Sequence, residues 1–329
     1  MKTLLVIIFL LIGPAFSGCT ETRSHNAVPP PVVVVQAGRY IETEGLSQLP
    51  NRRLAITSFG IEYDTKLLVL STKGHLRRPP GEILAIPHVH RQILLDLSKD
   101  RMQSLADQAY VQLVTDLQAA GYDVIPHNMY RELPAYRSLI DLGGHESPTS
   151  ITFRFGDPEN LVHGEGWVFA PNGLRWYSPS MEEVGSRVGN TLKSLGSDIR
   201  LTRLGLLGGE AVSQAEVDLA NTLNATLVKA YYVVSPVRSV MEDGPLVGLL
   251  PVEGNTIIGH GETRLAFRTP DAPTTHHLVG RRAPPRDGNA FVRLQRDVRI
   301  DGDLTYGQAL ESHLEVIGKL FILAMMSER

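Results

Sequence analysis

The strongest periodic signal in the chain lies over residues 101–120, where apolar residues recur every three or four positions. They form a single helical stripe: Met102, Leu105, Ala106, Ala109, Leu113 and Leu117. Asp100 and Gln103 fit a capping box at the start of this helix. Gly121 follows the stripe, and glycine ends helices because it adopts a left-handed backbone at little cost. The pattern predicts a core-packed helix over residues 101–120, with Gln112 on its wet face.

Short apolar or alternating segments predict strands on both sides of this helix. They lie at residues 52–63, 122–126, 151–155, 227–234, 256–267 and 291–300. A second helix is predicted to begin at Ser213, where Glu216 completes a capping box. A third is predicted from about Thr305, because an apolar stripe runs over residues 306–324. Residues 64–99 are rich in proline and are expected to form an irregular excursion.

Residues 127–212 have a different sequence pattern and interrupt this order. Residues 167–177 predict a hairpin that turns at Asn172 and Gly173, with Trp167 and Trp176 on its two strands. We interpret the region as a hairpin-containing insertion in one α/β domain, residues 39–329. The order of strands and helices favours a mixed sheet flanked by helices.

The first residues of the chain have the layout of a secretory signal peptide. Lys2 supplies a positive charge, and residues 4–12 form an apolar run that Gly13 and Pro14 interrupt. This run is too short to cross a bilayer, which takes about 20 residues. The pattern predicts a signal peptide over residues 1–18.

Cys19 is the only cysteine of the chain, and it follows Phe16, Ser17 and Gly18. This context resembles the lipobox of bacterial lipoproteins, with Phe16 where that family usually has Leu. The resemblance implies cleavage before Cys19 and acylation of its thiol and its new amine. It also implies a lipid anchor in the outer membrane that faces the periplasm, because Thr20, and not Asp, follows. The alternative is an ordinary signal peptide with an incidental cysteine nearby.

A polar tether is expected after the anchor, over residues 19–38, and it includes the run Pro29, Pro30 and Pro31. The whole chain has a formal charge of −3, so it lacks the basic footprint of a nucleic-acid binder. Once Cys19 is lipidated no thiol remains, which excludes disulfides, zinc–thiolate sites and cysteine catalysis.

Three segments of the globular part carry a second resemblance. They are RLAITSF at residues 53–59, the strand phrase YDVI at 122–125 after Gly121, and DLA at 218–220 leading to ATLVK at 225–229. Together they resemble the amino-terminal TolB and CsgG type of envelope domain. Asn224 and Ala225 stand where that family usually has Gly-Ala, and the first strand lacks its usual Pro-Phe ending. The resemblance implies a TolB-like or CsgG-like α/β fold.

The sharpest candidate for chemistry is the pair His88 and His90, since side chains at i and i+2 of a strand share a face and could hold a metal. The chain contains no G-x-S-x-G, no H-E-x-x-H and no phosphate-binding loop. Partner binding is the alternative use of exposed side chains, and its candidates are Trp167, Trp176, Arg281, Arg282 and Arg286. Core packing of the tryptophans and a solvated arginine-rich surface explain the same residues.

These observations favour a non-enzymatic, lipid-anchored periplasmic protein with a structural or assembly role. We expect no cofactor and no nucleic acid; its partner is expected to be another envelope protein or a further copy of the chain. Two alternatives stay open. One is an envelope hydrolase or metal-dependent enzyme that uses His88 and His90. The other is a CsgG-like secretion-pore subunit whose middle segment supplies membrane hairpins.

Overall fold

A mixed sheet, a small two-stranded sheet and four α-helices form most of the described part of the protein in a computed structural model of the chain. The structure describes residues 40–49, 52–71, 88–95, 97–157, 160–177, 209–235, 256–258, 263–270, 289–295, 298–300 and 306–327. All of them belong to one compact unit, Gln36–Arg329. The mixed α/β fold predicted from the sequence is therefore confirmed for these residues.

The helices are α1 (Lys99–Ala119), α2 (Pro134–Gly143), α3 (Gly209–Leu223) and α4 (Tyr306–Ser327). The first seven strands are β1 (Ile41–Glu44), β2 (Arg53–Ser71), β3 (His88–Leu94), β4 (Asp123–Ile125), β5 (Gly144–His145), β6 (Thr149–Asp157) and β7 (Asn160–Phe169). The remaining strands are β8 (Trp176–Tyr177), β9 (Thr226–Ser235), β10 (Thr256–Ile258), β11 (Arg264–Arg268), β12 (Asn289–Leu294) and β13 (Val298–Ile300).

The sheet is organised around β2, which has 19 residues. Its first half is parallel to β4 on one side and to β9 on the other. Its second half is antiparallel to β7 and β3. The described strands follow the order β1-β12-β11-β9-β2-β7-β6, and β10 joins β9 to β13. One strand thus belongs both to a parallel α/β sheet and to an antiparallel one.

Helices cover both faces of the parallel half, as apolar residues on both faces of its strands require. On one face α1 and α4 pack on Phe59 and Tyr232, whose rings lie 5.7 Å apart. On the other face α2 and α3 pack on Ala55 and Leu227. Tyr130 closes this second cluster, where its hydroxyl donates to the backbone oxygen of Ile56 at 2.6 Å.

The sequence predicts where the helices lie more accurately than it predicts the residues at which they begin. The stripe of α1 is confirmed, since Met102, Leu105, Ala106, Leu113 and Leu117 are buried. The cap is different: Ser98 accepts a hydrogen bond from the backbone N–H of Arg101, so α1 begins at Lys99 and not after Asp100. Gln112 is half-buried rather than wet, because α4 packs beside this side of α1.

Two other helices differ from the prediction: one begins at a different residue, and the other is not predicted. The helix expected from Ser213 begins four residues earlier, at Gly209. No helix is predicted where α2 lies, although Pro134 is in its first turn, where proline is common. Gly121 has a φ of 85°, which confirms the left-handed stop after α1.

Three strand predictions are wrong in extent. Residues 64–71 and 88–94 are not irregular, because they form the second half of β2 and all of β3. The single strand expected over residues 256–267 is two strands, β10 and β11, and glycines occupy positions 259 and 261 between them. The strand expected over residues 291–300 is also two, because β12 pairs with β1 and β11, whereas β13 pairs with β10.

Candidate functional site

Four antiparallel strands continue beyond the parallel half of the sheet, in the order β3-β2-β7-β6. We call β3, residues 64–71 of β2, β7 and β6 the antiparallel extension. β6 and β7 form a regular hairpin, paired from Thr149 and Val168 to Asp157 and Asn160. Part of the segment read as an insertion, residues 127–212, is therefore integral to the main sheet.

A β-bulge marks the point where β2 enters the extension. Asp64 pairs with Gly166 and Lys66 with Glu165, so Thr65 is the extra residue. The hydroxyl of Thr65 donates to the backbone oxygen of Glu165 at 3.2 Å. Bulges bend a strand and increase its twist, so this one changes the direction of β2 at the base of the extension.

Gly166 is required at the bulge by the close approach of two backbones. A Cβ on this residue would lie 2.5 Å from the backbone oxygen of Tyr63, closer than real Cβ contacts come. The sequence offers a signal for this position, because glycine inside a strand pattern is typical of bulges. Gly166 is nevertheless not among the residues predicted from the sequence.

The base of the extension is attached to α1 on one face. The ammonium of Lys99 lies 3.4 Å from the centre of the Trp167 ring, a cation–π contact. The side-chain amide of Gln103 donates to the backbone oxygen of Ala170 at 2.8 Å. Trp167 is half-buried in this arrangement, so it serves to fix β7 on α1 and presents only part of its ring to a partner.

Trp176 lies in a different sheet, which corrects the predicted tryptophan hairpin. It is on β8, which pairs with β5 and not with β7. Its ring is buried and stacks on His145 at 4.4 Å, and its indole N–H donates to Thr149 at 3.3 Å. The turn itself is confirmed, since Gly173 has a φ of 86°. Trp176 is therefore a core residue and not an exposed anchor.

Burial has an electrostatic consequence at His145. It lowers the pKa of this imidazole below the ordinary value of 6.5. Its Nε2 atom is buried and has no hydrogen-bond partner in the described part of the chain. A proton added there would have no acceptor to contact, which agrees with the direction of the pKa change.

The two outer strands of the extension are edges. Within the described residues β3 pairs with β2 alone, and β6 pairs with β7 alone. β6 has 9 residues and β3 has 7, so each presents on its outer side a row of backbone donors and acceptors that no other described strand pairs with. Leu94 at the end of β3 is 61 % exposed. Long edges of this kind are templates for pairing with another chain.

One row of residues crosses all four strands and defines corresponding positions on the two edges. Leu94 pairs with Lys66, Lys66 with Glu165, and Glu165 with Thr152. In the middle of the row the ammonium of Lys66 lies 3.1 Å from the carboxylate of Glu165. This partly exposed ion pair contributes at most about 1 kcal/mol to stability, and it joins the two inner strands.

A second polar cluster, on the α2 and α3 side of the sheet, is already paired internally. The ammonium of Lys229 lies 2.7 Å from the carboxylate of Glu216, and both side chains are buried. The hydroxyl of Tyr231 donates to the carboxylate of Glu62 at 2.6 Å. Both carboxylates are thus held by a neighbouring donor, which is typical of structural buried charge.

The remaining predicted residues have different outcomes. His88 and His90 are on the edge strand β3 and not in a loop, but their side chains lie outside the described residues. Cys19 and residues 1–38 also lie outside them, as do Arg281, Arg282 and Arg286. In the ranges that the structure describes, no three His, Cys, Asp or Glu residues are grouped so that they could hold a metal. None of the helices in those ranges has the length and apolar character needed to cross a membrane.

Comparison of the chain with protein-family models, curated proteins and solved structures finds no match. The function is therefore inferred from the sequence patterns and from the geometry of the extension.

Proposed function

We propose that the protein is a lipid-anchored envelope protein that works by assembly with other protein chains, without catalysis. The observation that carries the proposal is the antiparallel extension with two long edge strands. The anchor is Cys19, in the lipobox-like context described above, and the proposed location is the periplasmic side of the outer membrane. Two or three acyl chains are sufficient for stable anchoring.

The directions of the two edges favour pairing between copies. β3 and β7 are antiparallel to β2, and β6 is antiparallel to β7. β3 and β6 therefore run in opposite directions, so β6 of one copy can continue the sheet next to β3 of another in an antiparallel ladder. Such a contact uses two different surfaces, and it produces a ring if the rotation between copies closes.

The finer fold assignment, a TolB-like or CsgG-like envelope domain, is part of the same proposal. It is supported by the order of β2, α1, β4, α3 and β9, in which both later strands are parallel to β2. The segments that carry the resemblance form this unit. The secretion-pore alternative is favoured by the head-to-tail geometry of the edges, because a closed ring of copies encloses an opening.

Anchoring is tested by substitution of Cys19. The wild-type chain should sediment with outer membranes after salt washing and should be labelled by an alkyne fatty acid. Cys19→Ser should lose both properties. A membrane-bound, unlabelled wild-type chain would show that the anchor is not a lipid on Cys19, and co-migration with inner-membrane markers would overturn the proposed location.

Assembly through the edges is tested by crosslinking in the lipidated chain, whose own cysteine is blocked. Thr152→Cys places a thiol on β6, and Leu94→Cys places one on β3, in the same cross-strand row. A mixture of the two variants should give a covalent dimer with a short bismaleimide, and each variant alone should give almost none. Absence of the mixed dimer, together with a monomer in sedimentation, would overturn assembly through these edges.

A further inference from the structure

A cavity of about 70 Å³ lies between α1 and α4, on the sheet face opposite to α2 and α3. This is several times the roughly 10–15 Å³ that a cavity needs to hold one water. Gly318 contributes to this space, since a Cβ there would point at the hydroxyl of Tyr232 from 3.9 Å. The described residues that line the cavity include three carboxylates and neither lysine nor arginine.

Two polar side chains, Asp116 and Tyr232, face this cavity. Oδ1 of Asp116 accepts from the side-chain amide of Gln112 at 2.8 Å, but its Oδ2 is buried and has no partner in the described part of the chain. Tyr232 is 2 % exposed, and the described contacts of its ring are aromatic, with no hydrogen bond to its hydroxyl. A buried polar atom without a partner costs about 1–3 kcal/mol, so Oδ2 of Asp116, beside a cavity that the Tyr232 hydroxyl also faces, indicates an occupant.

The charges of the residues that line the cavity indicate which kind of ligand fits it. Asp116 lies inside, and Glu311 and Glu315 lie at the partly exposed rim. Arg101 and Lys319 pair with the two rim residues, whereas no cation is paired with Asp116 among the described residues. An occupant that donates hydrogen bonds and carries positive charge fits both Oδ2 of Asp116 and the hydroxyl oxygen of Tyr232.

We propose that this cavity binds the ammonium group of a small primary alkylamine. The ammonium donates to Oδ2 of Asp116 and to the hydroxyl oxygen of Tyr232. Its short alkyl chain contacts Leu105 and Leu314, which also line the cavity. Asp116, whose carboxylate is not paired with a cation among the described residues, attracts the ammonium, and this attraction decreases with salt.

The test measures binding of propylamine and of its neutral counterpart 1-propanol to the full-length chain, by calorimetry at low ionic strength. Propylamine should bind and 1-propanol should not. Asp116→Asn keeps the shape and the amide contact of Gln112, and Tyr232→Phe removes only the hydroxyl. Each should weaken propylamine binding about tenfold or more, as the loss of a hydrogen bond to a charged group predicts.

Two controls separate this result from unfolding or from binding elsewhere. Asp141→Asn removes an exposed carboxylate on α2, on the other face of the sheet, and should leave the affinity unchanged. Without amine, Asp116→Asn should unfold at or above the midpoint of the wild-type chain, because a buried carboxylate oxygen without a partner among the described residues is removed. Equal affinity of Asp116→Asn and wild type, or equal binding of 1-propanol, would show that the site does not select an ammonium group and would overturn the proposal.

Discussion

Asp107 on α1 accepts two hydrogen bonds from Asn172, one from the backbone N–H and one from the side-chain amide, both at 2.9 Å. The two residues are 65 positions apart in the chain. Gln103 supports the same carboxylate, to which its amide donates at 3.1 Å. The first half of α1 therefore fixes the turn that follows β7, and with it the base of the antiparallel extension.

Asp107→Ala removes both bonds to Asn172. We expect a loss of about 1–2 kcal/mol in the free energy of unfolding, because hydrogen bonds to charged groups are worth about 1.5–3 kcal/mol and this carboxylate is only partly buried. Hydrogen exchange should accelerate at the amide of Asn172. Gln118→Ala, at an exposed position of the same helix, should change stability by no more than about 0.5 kcal/mol. Equal exchange rates in the Asp107 variant and wild type would contradict the role of this contact.

The packing of α1 predicts a contrast between two of its apolar residues. Leu113 is 1 % exposed and Val111 is 62 % exposed. Leu113→Ala should cost about 2–5 kcal/mol of stability, whereas Val111→Ala should be neutral or slightly stabilising, since alanine is the better helix former. Chemical denaturation of the two variants measures the difference. Similar midpoints would mean that α1 does not pack as described.

The bulge predicts that Gly166 cannot be replaced. Gly166→Ala places a Cβ against the backbone oxygen of Tyr63, and neither backbone can move without breaking the ladder. We expect a cost of about 1–3 kcal/mol and weaker exchange protection in β6 and β7. Gly173→Asn is the matched control, because a Cβ there meets nothing within 4 Å and asparagine tolerates a positive φ. A Gly166→Ala chain as stable as this control would rule out the close approach.

The buried ion pair predicts strong non-additivity. Glu216→Leu leaves the ammonium of Lys229 in the core without this carboxylate, and such a change costs about 3–5 kcal/mol. Lys229→Met should cost a similar amount, because it leaves the carboxylate of Glu216 in the core without this ammonium. The double variant should be more stable than either single variant, because it leaves no isolated charge. Additive losses in a double-mutant cycle would show that the pair contributes little.

The pKa of His145 predicts a dependence of stability on pH. Its folded pKa is lowered by burial, so the unfolded chain takes up the proton first as the pH falls through about 6.5. Stability is therefore highest above this value and decreases below it. His127, whose pKa is lowered by burial and by Arg131, acts in the same direction. His145→Gln should flatten the stability curve between about pH 7.5 and pH 5.5, and a slope equal to that of wild type would contradict the expectation.

The parallel half of the fold could be predicted from the sequence because each of its patterns depends on local structure and burial. The stripe of α1, the stop at Gly121 and the apolar residues of β9 are all recognisable without knowledge of neighbours. The strand predicted at residues 227–234 and the observed strand Thr226–Ser235 differ by one residue at each end.

The antiparallel extension could not be predicted in the same way. Residues 64–66, Asp-Thr-Lys, are polar in a row and interrupt any strand pattern, yet the bulge at Thr65 accommodates them between two neighbours. The turn at Gly173 predicts a hairpin with the two tryptophans on its strands. The turn is present, but it does not determine which strand pairs with β8. That partner is Gly144 and His145 at the end of α2, a helix missing from the sequence analysis.

The continuity of β2 gives the molecule a defined response to mechanical load. Backbone hydrogen bonds lie across a strand, so force along β2 loads the ladders with β9 and β7 in shear, where many bonds share it at once. The half of β2 that pairs with β9 ends at Tyr63, where its pairing with β7 has already begun. A pull applied at either end of β2 is thus transmitted to the other through this overlap of two ladders, without a flexible joint between the helical layer and the edges.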